Sequence, residues 1–295
     1  MERPPYFTFA PDFLKAIQRN EIEQWVDRAF PGSFEKFPFK IREIFPSINA
    51  MRSPILNFEI LGHERSGKST FIEHLKQTGI EGAHVIVQPE FSVGNHDRKF
   101  SKFAKKVLSN RHYAGSDVDW SILKLMSTDA AIAEANDLAQ KMDAGKIKRQ
   151  PIVVVTERGP QDTLAYSLYN SLLGWSDDGD LTGRYQKAVP INAYFVAILY
   201  SELVTSSVFF QNSIETAMHR RELDGLPKEG YMVTPKVREL VDRVYGSWLG
   251  QIYPALRRTH GAGLKVIDGE RSIEENNKSA LGYLSQIVSE SKSLS

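Results

Sequence analysis

From Pro54 onward, short apolar runs alternate with longer stretches in which apolar residues recur every three or four positions. The runs are Ile55–Leu61, His84–Val87, Pro151–Val155, Ser207–Phe210 and Leu264–Ile267. Each is short, and β-branched or aromatic residues recur among them, which predicts strands. Between the first two, Lys68–Gln77 puts Phe71, Ile72 and Leu75 on one face and predicts a helix. A long helical stretch breaks near Ala114-Gly115-Ser116 and resumes over Trp120–Met142. A last helix is expected from Ile273 to Ser289, before a serine-rich tail. The run at 151–155 is apolar throughout, as in a strand buried on both faces. Strands alternating with helices predict an α/β fold: a five-stranded, mostly parallel sheet flanked by helices.

Residues 1–53 follow another pattern. Phe13, Leu14, Ile17, Ile22, Trp25, Val26 and Phe30 recur at roughly helical spacing, and Pro31, Pro38 and Pro46 cut the block into short pieces. Phe34, Phe37, Phe39, Ile41 and Phe45 then need a surface to cover. The expected organisation is an N-terminal helical arm (1–53) packed on a main domain (54–295).

Composition narrows the chemistry. The 295 residues are 41% hydrophobic and 25% charged, ordinary for a globular chain, and the formal net charge of +1 gives no global field toward nucleic acid or anionic membranes. Without cysteine there is no disulfide, thiolate metal site or cysteine nucleophile. The seven histidines show no compact metal spacing. The most apolar helical stretch, Ile191–Val204, falls short of the roughly 20 residues a membrane span needs. No signal-peptide pattern opens the chain, so a cytoplasmic protein without membrane association is expected.

Gly62-His63-Glu64-Arg65-Ser66-Gly67-Lys68-Ser69 fits G-x-x-x-x-G-K-[ST] at every fixed position, between a predicted strand and a predicted helix. Glycines let the backbone turn its N–H groups toward phosphate oxygens, and the helix start adds free N–H groups and a favourable dipole. The pattern assigns Lys68 to the β- and γ-phosphates and Ser69 to Mg²⁺, with Glu64, Arg65, Ser66 and Thr70 in the same cradle. A switch-type GTPase would need N-K-x-D, but Asn277-Lys278-Ser279-Ala280 lacks the aspartate and falls in the last helix.

Three further segments narrow the class. Thr156-Glu157-Arg158-Gly159 closes the third strand, Gln88-Pro89-Glu90-Phe91 ends the second, and Ile267-Asp268-Gly269-Glu270-Arg271 follows the fifth. Together with the glycine loop they resemble the P-loop nucleoside and nucleotide kinases, a family that includes deoxynucleoside kinases, thymidylate kinases and nicotinamide riboside kinase-like domains. The resemblance covers roughly residues 54 to 290. It implies a P-loop NTPase fold using ATP and Mg²⁺, and a small nucleoside- or nucleotide-like acceptor. It implies Glu157 on the metal side, Arg158 on phosphate or substrate, and Glu90 as base or orienter of the attacking hydroxyl. It also implies Arg220 and Arg221 on a lid, and Asp268, Gly269 and Arg271 beside the base of the nucleotide. Phe91-Ser92-Val93-Gly94 lacks the tryptophan-bearing pattern of many deoxynucleoside kinases, which leaves the acceptor open.

A basic cluster (Arg98, Lys99, Lys102, Lys105, Lys106, Arg111) follows the acidic strand tip. It suits a nucleic-acid end, and equally a solvated helix face with Phe100, Phe103 and Val107 turned inward. Two rivals to the small-molecule kinase therefore stand: a polynucleotide 5′-hydroxyl kinase, and a nucleotide-binding regulatory module or ATPase. Neither ATP against GTP preference nor oligomeric state is fixed, and a homo-oligomer stays open.

Overall fold

A computed structural model describes residues 55–88, 116–159, 162, 205–227, 234–247 and 264–292. The arm (1–53), Glu90, the basic cluster from Arg98 to Arg111 and the 191–204 stretch lie outside the described residues.

The strands are β1 (Ile55–Gly62), β2 (His84–Gln88), β3 (Ile152–Glu157), β4 (Ser206–Gln211) and β5 (Leu264–Asp268). They form one five-stranded sheet in the order β2-β3-β1-β4-β5. Every neighbouring pair is parallel, where the sequence predicted mostly parallel. Each strand runs one or two residues past the carboxyl end of its apolar run, through Gly62, Gln88, Glu157, Gln211 and Asp268. Hydrophobicity stops there, but backbone pairing continues, so the polar ends line one edge of the sheet.

The described helices are α1 (Lys68–Thr78), α2 (Ser116–Asp143), α3 (Ile214–Leu223), α4 (Pro235–Ser247) and α5 (Ile273–Lys292). α5 opens with a capping box: the Ser272 hydroxyl accepts the Glu275 N–H at 3.2 Å, and the Glu275 carboxylate accepts the Ser272 N–H at 3.2 Å. Phe71, Ile72 and Leu75 of α1 and Ala280, Leu284 and Val288 of α5 bury against Phe58, Ile60, Val153, Val155, Val208 and Phe210 on one face of the sheet. α2 packs on β2 and β3, and its buried residues Ala131, Ile132, Ala135, Ala139 and Met142 form one stripe at helical spacing. α4 lies on the second face, because Tyr245 meets the ring of Phe209, the neighbour of Phe210, at 4.8 Å. Among the described residues no helix is long and apolar enough to cross a membrane.

The second face is more polar than an apolar reading of β1 suggests. Asn57 and Glu59 are fully buried. Register sets Glu59 between Thr156 and Ser207, with Gln88 beyond, so a polar row crosses four strands. Glu59 Oε1 accepts the Asp162 N–H at 3.2 Å, which offsets part of the cost of burying it.

Strand order also locates a crevice. The chain leaves β1 toward β2 and leaves β3 in the opposite direction, toward β4. In parallel α/β sheets such a reversal of direction marks a crevice, here at the carboxyl ends of β1 and β3.

Gly62 fixes how β1 ends. Its φ is 131°, and a Cβ there would sit 2.1 Å from the Phe210 carbonyl oxygen. Phe210 cannot retreat easily, because that oxygen also accepts the His63 N–H at 3.0 Å. Gly62→Ala is expected to lower the free energy of unfolding by about 2 kcal/mol or more. Urea denaturation measures this, and a loss under about 0.5 kcal/mol, the scale of an ordinary surface change, would contradict the close approach.

Candidate functional site

The glycine loop joins β1 to α1 at the β1–β3 cleft. Gly67 sits at φ 102°, and Arg65 occupies the left-handed region at φ 57°. Four successive carbonyl groups of the loop accept side-chain donors. Lys68 Nζ donates to Gly62 O at 2.9 Å and to His63 O. Asn212 Nδ2 donates to Glu64 O at 3.3 Å, and Arg220 Nη1 to Arg65 O at 2.7 Å. The Ser66 hydroxyl donates to His63 O at 2.8 Å.

α1 begins differently from its neighbours. Its N-cap, Gly67, supplies no side-chain bond, and the first turn has no acidic residue. By contrast α3 is capped by Ser213, α4 by Thr234 and α5 by Ser272. An uncapped helix start concentrates unpaired N–H groups and positive potential, which is what an anion needs.

Ser69 and Glu157 meet. The Ser69 hydroxyl donates to Glu157 Oε1 at 2.6 Å, across 88 residues of chain. Parallel pairing of β1 with β3 brings them together, since Glu157 stands beside Ile60 near the end of the register. Glu157 is buried. Next to it, Arg158 lies in the left-handed region at φ 49°, with its N–H bonded to Ile60 O at 2.8 Å. Left-handed backbone in a residue with a side chain costs about 1–3 kcal/mol, so both Arg65 and Arg158 hold strain at this edge.

α3 grips the loop from one side. Arg65 pairs with Asp224, and Arg221 Nη1 with Glu64 Oε1 at 3.0 Å. Arg221 Nε also donates to Pro227 O at 2.9 Å. Arg220 spans two elements, reaching Arg65 O and, at 2.6 Å, Gly269 O. Sequence reasoning expected Arg220 and Arg221 on a lid; the structure puts both guanidinium groups beside the loop, engaged with protein oxygens. Gly269 closes the contact: a Cβ there would lie 2.7 Å from Gln211 O and 3.1 Å from Ser66 O. Asp268 and Arg271 pair with each other at 3.5 Å on the exposed side of the same turn. Glu90 falls outside the described residues.

A second group was not anticipated. His63, Asn212, Arg238, Asp242 and Tyr245 surround the start of the loop on the face of α4. The sequence carried one hint, the i,i+4 spacing of Arg238 and Asp242, which pair at 3.0 Å. Burial lowers the pKa of His63; the hydrogen bond to Asp242 opposes this, and the charges of Arg238 and Lys68 reinforce it. For Asp242, burial pushes the pKa upward, but the His63 bond and Arg238 outweigh it and leave the value lowered.

A cleft of about 660 Å³ opens at the far end of α1, lined by Leu75, Ile80, Ala83, Val85 and Val87 among others. It lies away from the Ser69–Glu157 contact and contains none of the glycine-loop, α3 or α4 residues described above. No protein-family model matches the chain, and no curated protein sequence matches it. The geometry of the loop therefore carries the functional reading.

Glu270 links the β5–α5 turn to α3, accepting the Ser213 N–H at 2.5 Å and the Thr216 hydroxyl. The Thr216 bond, then the Ser213 bond, hold its carboxyl below the ordinary 4.5. A lowered acid contributes stability above its unfolded value and loses it as pH falls through its folded value. Glu270→Gln is expected to melt about 1–2 °C below the wild type at neutral pH, a small effect because the group is exposed. The gap should close as pH falls below 4.5. Thermal unfolding across pH checks this, and a gap that widens in acid would refute it.

Proposed function

We propose that the chain is an ATP- and Mg²⁺-dependent phosphotransferase of P-loop fold, moving the γ-phosphate to a small nucleoside- or nucleotide-like acceptor. The observation that carries the reading is the 2.6 Å contact of Ser69 with Glu157. Two groups singled out for one metal ion, from motifs far apart in sequence, converge at the mouth of the β1–β3 cleft. Their oxygens suit a hard cation that keeps most of its waters. Among the described residues no three His, Cys, Asp or Glu side chains form a metal cluster. Mg²⁺ takes one or two protein oxygens and completes its shell with water and phosphate. When bound it supplies charge neutralisation.

The chain's own residues do the positioning. The loop N–H groups and the start of α1 would hold the phosphates. Lys68 would exchange the Gly62 and His63 carbonyl groups for phosphate oxygens, a short movement for a flexible ammonium. Arg158 stands next to Glu157 and would offset charge on the transferring group. Asp268, Gly269 and Arg271 flank the loop where the base of the nucleotide would lie. For Arg220 or Arg221 to serve as a lid, each would first have to leave its present oxygen partners.

A substrate-dependent ADP-release assay over nucleosides, nucleotides and oligonucleotides tests the reading, and separates it from a polynucleotide kinase and from an ATPase without acceptor. Lys68→Ala is expected to reduce turnover by about 100-fold or more, because a preorganised charge at the transferring phosphate is lost. Turnover within about threefold of wild type would exclude this role for Lys68.

Glu90 is proposed as base or orienter for the acceptor hydroxyl. Glu90→Gln keeps the size and removes the charge, so turnover should fall by about 10²- to 10⁴-fold while ATP affinity stays near wild type. Steady-state kinetics with a separate nucleotide titration distinguish the two effects. Normal turnover, or loss of ATP binding, would put the acceptor elsewhere.

A further inference from the structure

His63 follows Gly62 directly, and its ring is held from a helix 175 residues away in sequence. The ring is only 2% exposed. Edge contacts with Phe209 at 5.2 Å and Tyr245 at 5.6 Å fix its plane. Nε2 lies 3.1 Å from Asp242 Oδ1. On the opposite edge, Nδ1 faces the Arg238 guanidinium, the Asn212 carbonyl oxygen at 3.3 Å and the Asn212 N–H at 3.4 Å. The Arg238 contact selects the tautomer: the bare Nδ1 lone pair accepts from the guanidinium, which leaves the proton on Nε2, on the side of Asp242. Arg238 is fixed in turn by Asp242 at 3.0 Å and by the Asn212 side chain at 3.3 Å. Asn212 then passes a bond to Glu64 O at 3.3 Å. α4 thus reaches two successive loop residues, one through its ring and one through its carbonyl.

We propose that Arg238 and Asp242 are positioning residues that set the glycine loop through the neutral imidazole of His63, and that protonation of this ring releases the loop. A proton on Nδ1 would confront the Arg238 guanidinium and would have to compete with it for the Asn212 carbonyl oxygen, 3.3 Å from Nδ1, which Arg238 already holds. The charged groups facing the ring are Lys68 from α1 and Arg238 and Asp242 from α4; Phe209 from β4 and Tyr245 from α4 contribute apolar ring surface. Burial and the two cations hold the ring neutral below the ordinary value of 6.5, against the pull of Asp242. Support for the loop is therefore full above 6.5 and lost as pH falls through the lowered value. The effect on nucleotide affinity rests on the function proposed above; the effect on loop order does not.

The test is hydrogen exchange of the loop amides in the full, ligand-free chain from neutral to acid pH, corrected for intrinsic rates, with MgATP affinity measured in parallel. Between 6.5 and the lowered value of His63, loop opening should increase about tenfold per pH unit, the signature of one linked proton, and then level off. MgATP dissociation constants should rise by the same factor. His63→Gln keeps an acceptor and cannot charge, so its loop protection should be flat with pH. Asp242→Asn removes an anion and should move the acid limb to lower pH; Arg238→Gln removes a cation and should move it to higher pH. Opposite displacements separate this coupling from plain structural damage, which would move both the same way, and they decide the matter even if His63→Gln fails to fold. The proposal is overturned if both variants shift alike, or if wild type and Arg238→Gln show no limb before acid unfolding. A pH-dependent loop in a chain that binds no MgATP would uphold the coupling and refute the kinase reading.

Discussion

Backbone groups come in pairs, and a segment that turns its N–H groups toward an anion must dispose of its carbonyl oxygens elsewhere. In this chain the carbonyl groups of Gly62, His63, Glu64 and Arg65 are each claimed by a side chain: Lys68, Asn212 or Arg220. Those donors come from the loop's own helix, from the end of β4 and from α3. The loop conformation is thus a property of three surrounding elements as much as of its glycines. Backbone in left-handed space at Arg65 persists because its oxygen and its guanidinium are both held.

Much of this could be read from the residues alone. The β-strands follow from apolar runs, and the site of the loop from two glycines and a lysine between a strand and a helix. That Glu157 would stand beside the loop followed from its place at the end of a fully buried strand. Asn57 and Glu59 were not legible as buried polar groups, because a polar residue inside an apolar run carries no sign of which partner awaits it. The anchoring of α4 was hidden for a related reason. Val237, Val241 and Tyr245 mark its inward face, but helical periodicity does not say which part of the sheet that face meets. The i,i+4 spacing of Arg238 and Asp242 says that they can pair, and only the fold brings His63 to them.

The same separation explains the arginines of α3. Charge and position along the chain suggested mobile groups near a phosphate. Their present partners are oxygens of the loop and of the β5–α5 turn, visible only once β4 and β5 place α3 over the edge of the sheet. Sequence patterns identified which residues gather at the edge; the division between residues that meet a ligand and residues that hold the others depends on contacts between distant segments.

Arg220 has one guanidinium and two backbone oxygens to satisfy, one on the glycine loop and one on the β5–α5 turn. Glu270 fastens that turn to α3 a second time, and Gly269 leaves no slack between the turn and Ser66. Three segments, from β1, β4 and β5, are therefore riveted into a single mechanical unit on one bank of the cleft. The β3 side is joined to this unit by the Ser69–Glu157 bridge, by the Arg158 N–H on Ile60 O and by the Asp162 N–H on Glu59. A change that loosens any one of the three segments will therefore be felt by the other two, and through the Ser69–Glu157 bridge by the end of β3.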